Sequence, residues 1–388
     1  MSSNYLAKQV QDLKPSGIRK FFDLASKMEN VVSLGVGEPD FVTPWNVIEA
    51  SYHSLEQGYT AYTANAGLLE LREAISEYLE EYFTVSYDAE DQVLVTVGAS
   101  QAIDIALRAL LNPGDEVIVV EPCFVAYSSA VLLAGGVPVT VSATGDNAFK
   151  VTAEQIEAAI TERTKAIVLC SPNNPTGAVL DANELAEIAE VLCKHDIIAI
   201  SDEIYAELSY DEKAISLSAI DGMKERTILI SGFSKSFAMT GWRLGYAAGP
   251  VDIIQAMTKI HQYTIMCAPT MAQHGALEAL RNGRESVNDM TTSYRQRRNF
   301  VVKALNEMGL SCHLPGGAFY VFPSIKATGM TSEEFAEQLL EEERVAVVPG
   351  NVFGDSGEGY IRCSYATSIK QLDEAMKRMT RFVEKHIQ

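Results

Sequence analysis

From about residue 92 onward, short runs of β-branched apolar residues alternate with longer amphipathic stretches. This alternation predicts a mostly parallel sheet whose strands are connected by helices. The runs are continuously apolar, which is typical of strands that helices cover on both faces. We expect strands at 92–97, 116–120, 166–170, 197–201, 227–231 and 244–248. The sequence therefore indicates an α/β fold.

The pattern changes after about residue 286, where the strands become short and long polar helices separate them. Three helices are predicted in this part, at 287–308, from 331 onward and near 368–386. The N-terminal segment adds one predicted helix and one predicted strand, at 18–27 and 31–34, which offer too little apolar area to fold alone. We therefore predict a large domain at 45–285 and a smaller α+β domain formed by 1–44 with 286–388.

The composition of the 388 residues is that of an ordinary globular protein, with 47% hydrophobic and 21% charged residues. No apolar run approaches the roughly 20 residues that span a bilayer, so we expect no membrane insertion. Residues 1–8 lack the apolar core of a signal peptide, and we expect a cytoplasmic protein. The net charge of −20 repels phosphate backbones, so no nucleic-acid partner is predicted.

The cysteines and histidines do not form a metal-binding pattern. No two of the six cysteines have the two-residue spacing of a metal or redox site. Several lie within apolar runs, which favours buried free thiols. The six histidines are equally scattered along the chain. We therefore predict no metal site.

Two turns that follow predicted strands of the large domain have the composition of ligand sites. Gly-Ala-Ser-Gln at 98–101 offers free backbone N–H groups, a helix N-terminus and the hydroxyl of Ser100 to an anion. Ser-Pro-Asn-Asn-Pro-Thr-Gly at 171–177 has a rigid backbone, which orients the amide of Asn174 as a donor. A turn without a ligand remains the alternative for both segments.

Two charged residues also follow predicted strands. Asp202 ends an apolar strand, and a carboxylate there is costly unless a ligand or a structural ion pair supplies a cation. Lys235 lies among small and aromatic residues, a setting that lowers the pKa of an amine and frees it for imine chemistry. A solvated lysine is the simpler alternative. Arg243, eight residues later, adds a permanent charge that suits a phosphate.

The segments at 171–177, 202–205 (Asp-Glu-Ile-Tyr) and 234–243 (Ser-Lys-Ser-Phe-Ala-Met-Thr-Gly-Trp-Arg) resemble, in order and spacing, the class I and II aminotransferases of fold type I. The resemblance covers nearly the whole chain. It implies pyridoxal 5′-phosphate (PLP) as the cofactor and an amino acid and a 2-oxo acid as the substrates. Lys235 would hold the cofactor as an imine and act as the general acid/base, and Asp202 would keep the pyridine nitrogen protonated.

The resemblance assigns further residues to the cofactor and the substrate. Asn174 and Tyr205 would hydrogen-bond the phenolic oxygen of the ring, and Phe124 would stack on the ring. The phosphate would be held by Ala99, Ser100, Ser234 and Arg243. Arg362 would receive the α-carboxylate of the substrate as a bidentate pair, and the backbone of Gly37 would approach the substrate beside Asn174. A structural salt bridge would explain Arg362 equally well.

Two positions depart from many members of that family. Phe124 stands where many carry Trp or Tyr, which keeps the stacking and removes a polar tip. Ser100 stands where some relatives that act on aspartate carry a lysine for the side-chain carboxylate. The sequence therefore favours an aromatic or other neutral donor, with aspartate aminotransferase and PLP-dependent β-lyase as alternatives. A PLP-binding regulator without turnover is disfavoured because the lysine, aspartate and arginine positions are intact.

The last expectation concerns assembly and Tyr62. This residue precedes small residues and a glycine, so we expect it on a loop rather than in an apolar stripe. Surface packing would explain such an aromatic residue. The resemblance implies another role, because the matching tyrosine of the family reaches across a homodimer interface to the neighbour's cofactor phosphate. We therefore expect a homodimer.

Overall fold

The computed structural model describes residues 5–11, 13, 17 and 28–387. The β-strands in these ranges are β1 (Val32–Ser33), β2 (Val93–Thr96), β3 (Glu116–Glu121), β4 (Val137–Ser142), β5 (Thr164–Cys170), β6 (Ile198–Asp202), β7 (Thr227–Gly232), β8 (Gly245–Ala248), β9 (Tyr320–Val321), β10 (Val345–Ala346), β11 (Val348–Pro349) and β12 (Ile361–Ser364). The α-helices in the same ranges are α1 (Lys8–Gln11), α2 (Trp45–Glu56), α3 (Leu69–Phe83), α4 (Gly98–Leu110), α5 (Ala126–Leu133), α6 (Ala153–Ala159), α7 (Ala182–Lys194), α8 (Val251–Thr264), α9 (Thr270–Asn282), α10 (Arg284–Glu307), α11 (Ser332–Glu343) and α12 (Ile369–His386).

The central sheet has seven strands in the order β2-β8-β7-β6-β5-β3-β4. Its pairs are parallel except for those that β8 makes with β2 and β7. The apolar side chains of its inner strands are buried because helices pack on both faces. The predicted α/β class and the mostly parallel sheet are confirmed, and the six predicted strands lie within two residues of the observed ones.

The apolar pattern of the sequence does not predict strand β4, which lies at the edge of this sheet. Its sequence, Val-Pro-Val-Thr-Val-Ser, has only Val141 buried. An edge strand pairs on one side, so it tolerates polar and exposed residues and a proline such as Pro138. Its strand conformation follows from parallel pairing with β3, which the local sequence does not encode.

Reciprocal side-chain caps begin the helices α6 and α11. The Thr152 hydroxyl accepts from the backbone N–H of Gln155, whose side chain accepts from the Thr152 backbone N–H. Thr331 and Glu334 form the same reciprocal cap at the start of α11. The helices predicted at 287–308 and near 368–386 are α10 and α12. The helix predicted at 18–27 lies outside the described residues.

The C-terminal part packs around a second apolar core. Helices α10, α11 and α12 cover the antiparallel sheet β11-β12-β9, and β1 pairs in parallel with β10. The backbone N–H of Ser364 donates to the Leu34 carbonyl (2.6 Å), which sets the loop after β1 beside β12. The domain boundaries at 45–285 and at 1–44 with 286–388 stay a prediction.

The described residues contain no helix that is long and apolar enough to cross a membrane. The predicted cytoplasmic location stays a prediction. The six cysteines are free thiols, and three of them are buried while the other three are half-buried.

Candidate active site

A cavity of about 620 Å³ lies where the carboxyl ends of the parallel strands meet. Eleven of the twelve predicted site residues line it: Gly37, Ala99, Ser100, Phe124, Asn174, Asp202, Tyr205, Ser234, Lys235, Arg243 and Arg362. Asp202 and Lys235 meet here because the parallel strands β6 and β7 end at the same edge of their sheet, whereas Gly37 and Arg362 come from outside that sheet. Tyr62 does not line the cavity, and its side chain is 76% exposed on a loop.

Lys235 follows β7 and projects its amine into the cavity. Its Nζ donates to the carbonyl oxygen of Gly37 (2.6 Å) and lies 5.9 Å and 5.8 Å from the ring centroids of Tyr205 and Phe319. Burial among these groups lowers the pKa of Lys235 to about 8, although the Glu38 carboxylate opposes the shift. The lowered pKa gives this amine a larger neutral fraction near physiological pH than an ordinary lysine has, so it can act as a nucleophile.

Asp202 ends β6 and is almost completely buried. Its Oδ2 accepts a hydrogen bond from the Tyr127 hydroxyl (2.6 Å), and its Oδ1 accepts one from the Ile204 backbone N–H (3.2 Å). Burial raises the pKa of Asp202, and these hydrogen bonds together with the charge of Lys235 oppose the rise. A cationic ring nitrogen in the cavity would favour the ionised carboxylate.

Tyr127 is a site residue that the sequence analysis missed. It lies in the apolar stretch of α5, where a tyrosine has the pattern of a core residue. Its ring packs edge to face against Phe124, with centroids 5.7 Å apart. Tyr127 comes three residues after Phe124, and residues three apart near the start of a helix lie on the same side. This spacing is the local signal in the sequence that would have identified Tyr127.

An anion cradle lies at the N-terminus of α4. Gly98 has φ +75°, and a Cβ at this position would lie 2.7 Å from Nη2 of Arg243. Ala99 and Ser100 continue the first turn of this thirteen-residue helix. Within the described part of the chain no carboxylate pairs with Arg243, whose Nη1 donates to a backbone carbonyl (3.0 Å). Helix dipole, free N–H groups, the Ser100 hydroxyl and a guanidinium together suit a phosphate.

Arg362 lies on β12, lines the cavity and is only 4% exposed. Its Nη1 donates to Oδ1 of Asn174 (2.9 Å) and its Nη2 donates to the Gly35 carbonyl oxygen (2.7 Å), whereas its buried Nε has no hydrogen-bond partner among the described residues. The predicted alternative, a structural salt bridge, is absent among the described residues. A buried cation without a counter-ion is costly, so the arrangement suits an anionic ligand.

The hydroxyl groups of Tyr205 and Tyr320 form a hydrogen bond of 2.9 Å at the centre of the cavity. Burial raises the pKa of both phenols, so both stay protonated. A Cβ on Gly37 would lie 2.7 Å from the Tyr320 hydroxyl oxygen, which is why the chain needs a glycine there. The sequence analysis missed Tyr320, because it lies in an apolar strand of two residues.

The segment at 171–177 holds Asn174 in place. Oδ1 of Asn173 accepts hydrogen bonds from the backbone N–H and the hydroxyl of Thr176, which close the turn. Because Oδ1 of Asn174 accepts from Arg362, its amide nitrogen remains a donor. The described residues contain no cluster of His, Cys, Asp or Glu side chains that could hold a metal ion.

The family model "Aminotransferase class I and II" matches residues 29–379. The chain therefore belongs to the class I and II aminotransferases, a family that depends on PLP, and it has their fold type I. It is 66% identical over 383 residues to the protein YugH of Bacillus subtilis (strain 168), covering 99% of each chain. It is 48% identical over 377 residues to an aspartate aminotransferase of Pyrococcus abyssi, covering 96% of this chain and 97% of the other.

A solved structure agrees with this membership. The crystal structure of an aromatic aminotransferase from Pyrococcus horikoshii OT3 superposes with a TM-score of 0.91 at 46% identity. The match covers 95% of this chain and 99% of the other. The chain is thus an aminotransferase whose relatives include both aspartate and aromatic enzymes.

Proposed function

We propose that this aminotransferase binds PLP and moves an amino group between an L-amino acid with an aromatic or other neutral side chain and a 2-oxo acid. The observation that carries the proposal is one cavity that combines an amine of lowered pKa, a buried acid and a buried cation, on Lys235, Asp202 and Arg362. Each group suits a different part of the chemistry, and none of the three forms a salt bridge with another described residue.

The cavity fits PLP group by group. Its anion cradle at α4, with Arg243 and Ser234 on the wall, suits the phosphate. Tyr205 and Asn174 offer donors for the phenolic oxygen, and Phe124 offers an aromatic ring. When bound, PLP supplies an electron sink for the electron pair that stays on Cα when the proton of the substrate leaves.

The residues divide the work between binding and proton transfer. Lys235 would hold the cofactor, and its free amine would take the Cα proton of the substrate and deliver a proton to the cofactor, which is the 1,3-proton shift that transamination needs. Asp202, oriented by the Tyr127 hydroxyl, keeps a proton on the pyridine nitrogen. Arg362 binds the α-carboxylate and thereby aligns the Cα–H bond with respect to Lys235.

The charges at the wall of the cavity favour a neutral side chain on the donor. The cationic residues among its described lining residues are Lys235, Arg243 and Arg362, and each already has a role above. Ser100 is uncharged, and Glu38 adds a carboxylate at the rim. An aspartate side chain would therefore lack a counter-charge and would be repelled by Glu38.

A substrate panel tests this proposal. Phenylalanine, tyrosine, leucine, aspartate and the sulfur amino acid cystathionine are each reacted with 2-oxoglutarate and pyruvate, and the oxo acid, ammonia and thiol products are measured. We expect oxo acids without stoichiometric ammonia, and a higher kcat/KM for phenylalanine than for aspartate. Ammonia or thiol as the main product would identify a lyase, and a preference for aspartate would overturn the donor assignment.

A substitution at Ser100 sharpens the donor test. Ser100→Lys should raise the aspartate-to-phenylalanine ratio of kcat/KM by about tenfold or more, since one favourable charge pair is worth at least ~1.4 kcal/mol here. Ser100→Met, of similar length without the charge, is the matched control and should leave the ratio unchanged.

We also propose that the enzyme is a homodimer in which Tyr62 serves the neighbouring site. Tyr59 and Tyr62 are exposed on one segment of the surface, and Tyr263 and Met266 are exposed on another. The two segments of this surface are joined where the Thr270 hydroxyl donates to the carbonyl oxygen of the residue before Tyr62 (2.9 Å). An exposed apolar patch of this kind supports a partner surface.

Subunit mixing tests this assembly. When Tyr62→Ala and Lys235→Ala subunits are mixed, some dimers contain one subunit of each kind. If Tyr62 serves the neighbouring site, one of the two sites in such a hybrid dimer is intact. If Tyr62 serves the site of its own chain, neither site is intact. We expect the mixture to regain about a quarter of the wild-type activity, because about half of the dimers are hybrids with one intact site. Absence of any gain, or a fully active monomer in sedimentation experiments, would overturn the proposal.

A further inference from the structure

Tyr320 contacts both Tyr205, which suits the cofactor, and Arg362, which suits the α-carboxylate of the substrate. Its hydroxyl oxygen lies 2.9 Å from that of Tyr205, and its ring lies 4.4 Å from the guanidinium carbon of Arg362. It is buried on β9, where it pairs with Ser364 of β12, two residues from Arg362. One rigid side chain therefore joins the phenol of Tyr205 to the arginine that suits the α-carboxylate.

The hydrogen bond between the two tyrosines has a definite direction once Tyr205 has an acceptor of its own. Each phenol has a single proton, so Tyr205 can donate to a cofactor oxygen only if its own oxygen accepts from Tyr320. In the described part of the chain the Tyr205 hydroxyl has no other hydrogen-bond partner. Successive hydrogen bonds polarise one another, so donation from Tyr320 strengthens donation from Tyr205.

The surroundings of Tyr320 favour it as the donor. Burial raises the pKa of Tyr320, whereas the positive charge of Arg362 opposes that rise and makes its O–H more acidic. The hydroxyl is also confined, because Gly37 leaves space for its oxygen and for no Cβ. The ring meanwhile covers one face of Arg362, which holds the guanidinium plane in position.

We propose that Tyr320 is a positioning residue of this enzyme, whose hydroxyl completes a hydrogen-bond chain from Tyr320 through Tyr205 to the phenolic oxygen of the cofactor and whose ring orients Arg362 for the α-carboxylate. This inference rests on the proposed binding of PLP. It assigns two separable roles to one side chain, one to the hydroxyl and one to the ring.

The role of the hydroxyl is tested with Tyr320→Phe in the PLP-loaded enzyme. Deprotonation of the bound cofactor leaves more negative charge on its phenolic oxygen, which a weaker Tyr205 donor stabilises less. The pH midpoint of the visible absorption band should therefore shift upward by about one unit, the scale of one hydrogen bond to a charged group. Tyr365→Phe is the matched control, since this buried phenol donates to the Ala318 carbonyl (3.0 Å) and does not line the cavity.

The role of the ring is tested by comparing two variants in steady-state kinetics. Tyr320→Phe keeps the ring, so its KM for the amino donor should stay within about threefold of the wild-type value. Tyr320→Leu removes the ring, and its KM should rise about tenfold. An unchanged midpoint in Tyr320→Phe overturns the role of the hydroxyl, and a wild-type KM in Tyr320→Leu overturns the role of the ring.

A third measurement separates this inference from the proposed function. If added PLP produces no visible band in the wild type, the proposed cofactor is wrong. The tyrosine pair is then tested without cofactor by the thermal unfolding of Tyr205→Phe, Tyr320→Phe and the double variant. Strictly additive shifts in melting temperature would overturn the hydrogen bond itself, whereas a double variant no less stable than the worse single variant would support it.

Discussion

The two ends of the cavity are built in different ways. At the cofactor end, Asp202 and Lys235 follow the buried strands β6 and β7, which are neighbours in one large sheet. At the substrate end, Gly37, Tyr320 and Arg362 come from separate short segments of the chain. The first end is positioned by a rigid sheet, and the second by side chains that hold one another.

This difference predicts how each end responds to substitution. A change at Lys235 or Asp202 removes a chemical group from a scaffold that the rest of the sheet maintains. A change at Arg362 also removes the partner of the Asn174 amide and of the Gly35 carbonyl, so neighbouring groups lose hydrogen bonds. Effects at the cofactor end should therefore appear mainly in kcat, and effects at the substrate end mainly in KM.

The largest effect is expected for Lys235→Ala. The variant should lose at least about 10⁴-fold in kcat, the upper range for a positioned acid/base group, while the circular dichroism spectrum stays unchanged. The fold is retained because, among the residues that the structure describes, the Lys235 amine makes one hydrogen bond, to the Gly37 carbonyl. Lys303→Ala, at an exposed lysine, is the control. Turnover within tenfold of the wild type would remove Lys235 from the mechanism.

Arg362→Ala should produce the next largest effect, and it tests the substrate end. Binding of an α-carboxylate substrate should weaken by roughly 2–5 kcal/mol, the range for truncating one member of a buried charge pair. The comparison is between phenylalanine and 2-phenylethylamine, which lacks the carboxylate, measured as kcat/KM for each. Equal losses for both substrates would make Arg362 a structural residue.

Asp202→Ala tests whether Asp202 serves the chemical step rather than the binding of PLP. We expect kcat to fall by about 10²–10³-fold, the scale for losing one preorganised electrostatic group, with a much smaller change in the dissociation constant of PLP. Tyr127→Phe, which removes one hydrogen bond to Asp202, should cost only about tenfold. Parallel losses of kcat and of PLP affinity in Asp202→Ala would contradict the separation.

The smallest effect concerns pH and the amine of Lys235. Burial lowers its pKa to about 8, so the neutral, reactive form predominates above that pH and the protonated form below it. In the protein freed of cofactor, the rate of PLP attachment should rise about tenfold between pH 7 and pH 9 and then level off. Stopped-flow absorbance measures this rate. A rate that still rises steeply above pH 9.5 would indicate an ordinary, solvated lysine.

The fold and the cofactor end were predictable because their signals are local. Continuous apolar runs mark buried parallel strands, and the residues that follow such strands must meet at one edge of the sheet. Asp202 and Lys235 therefore stood out as charges in places where charges are costly. Strand β4 did not stand out, because an exposed edge strand has the polar pattern of a loop. Tyr127 did not stand out either, because a tyrosine in an apolar helix has the pattern of a core residue.

The sequence by itself determined the family, the α/β class and the residue types that carry the chemistry, because these depend on short motifs and on periodicity. Only the tertiary structure decided how Tyr320 joins Tyr205 to Arg362, and that Arg362 lacks a carboxylate partner among the described residues. These contacts join segments more than a hundred residues apart or different strands of the smaller sheet. The energy of such contacts depends on burial and geometry that arise only when distant segments pack together.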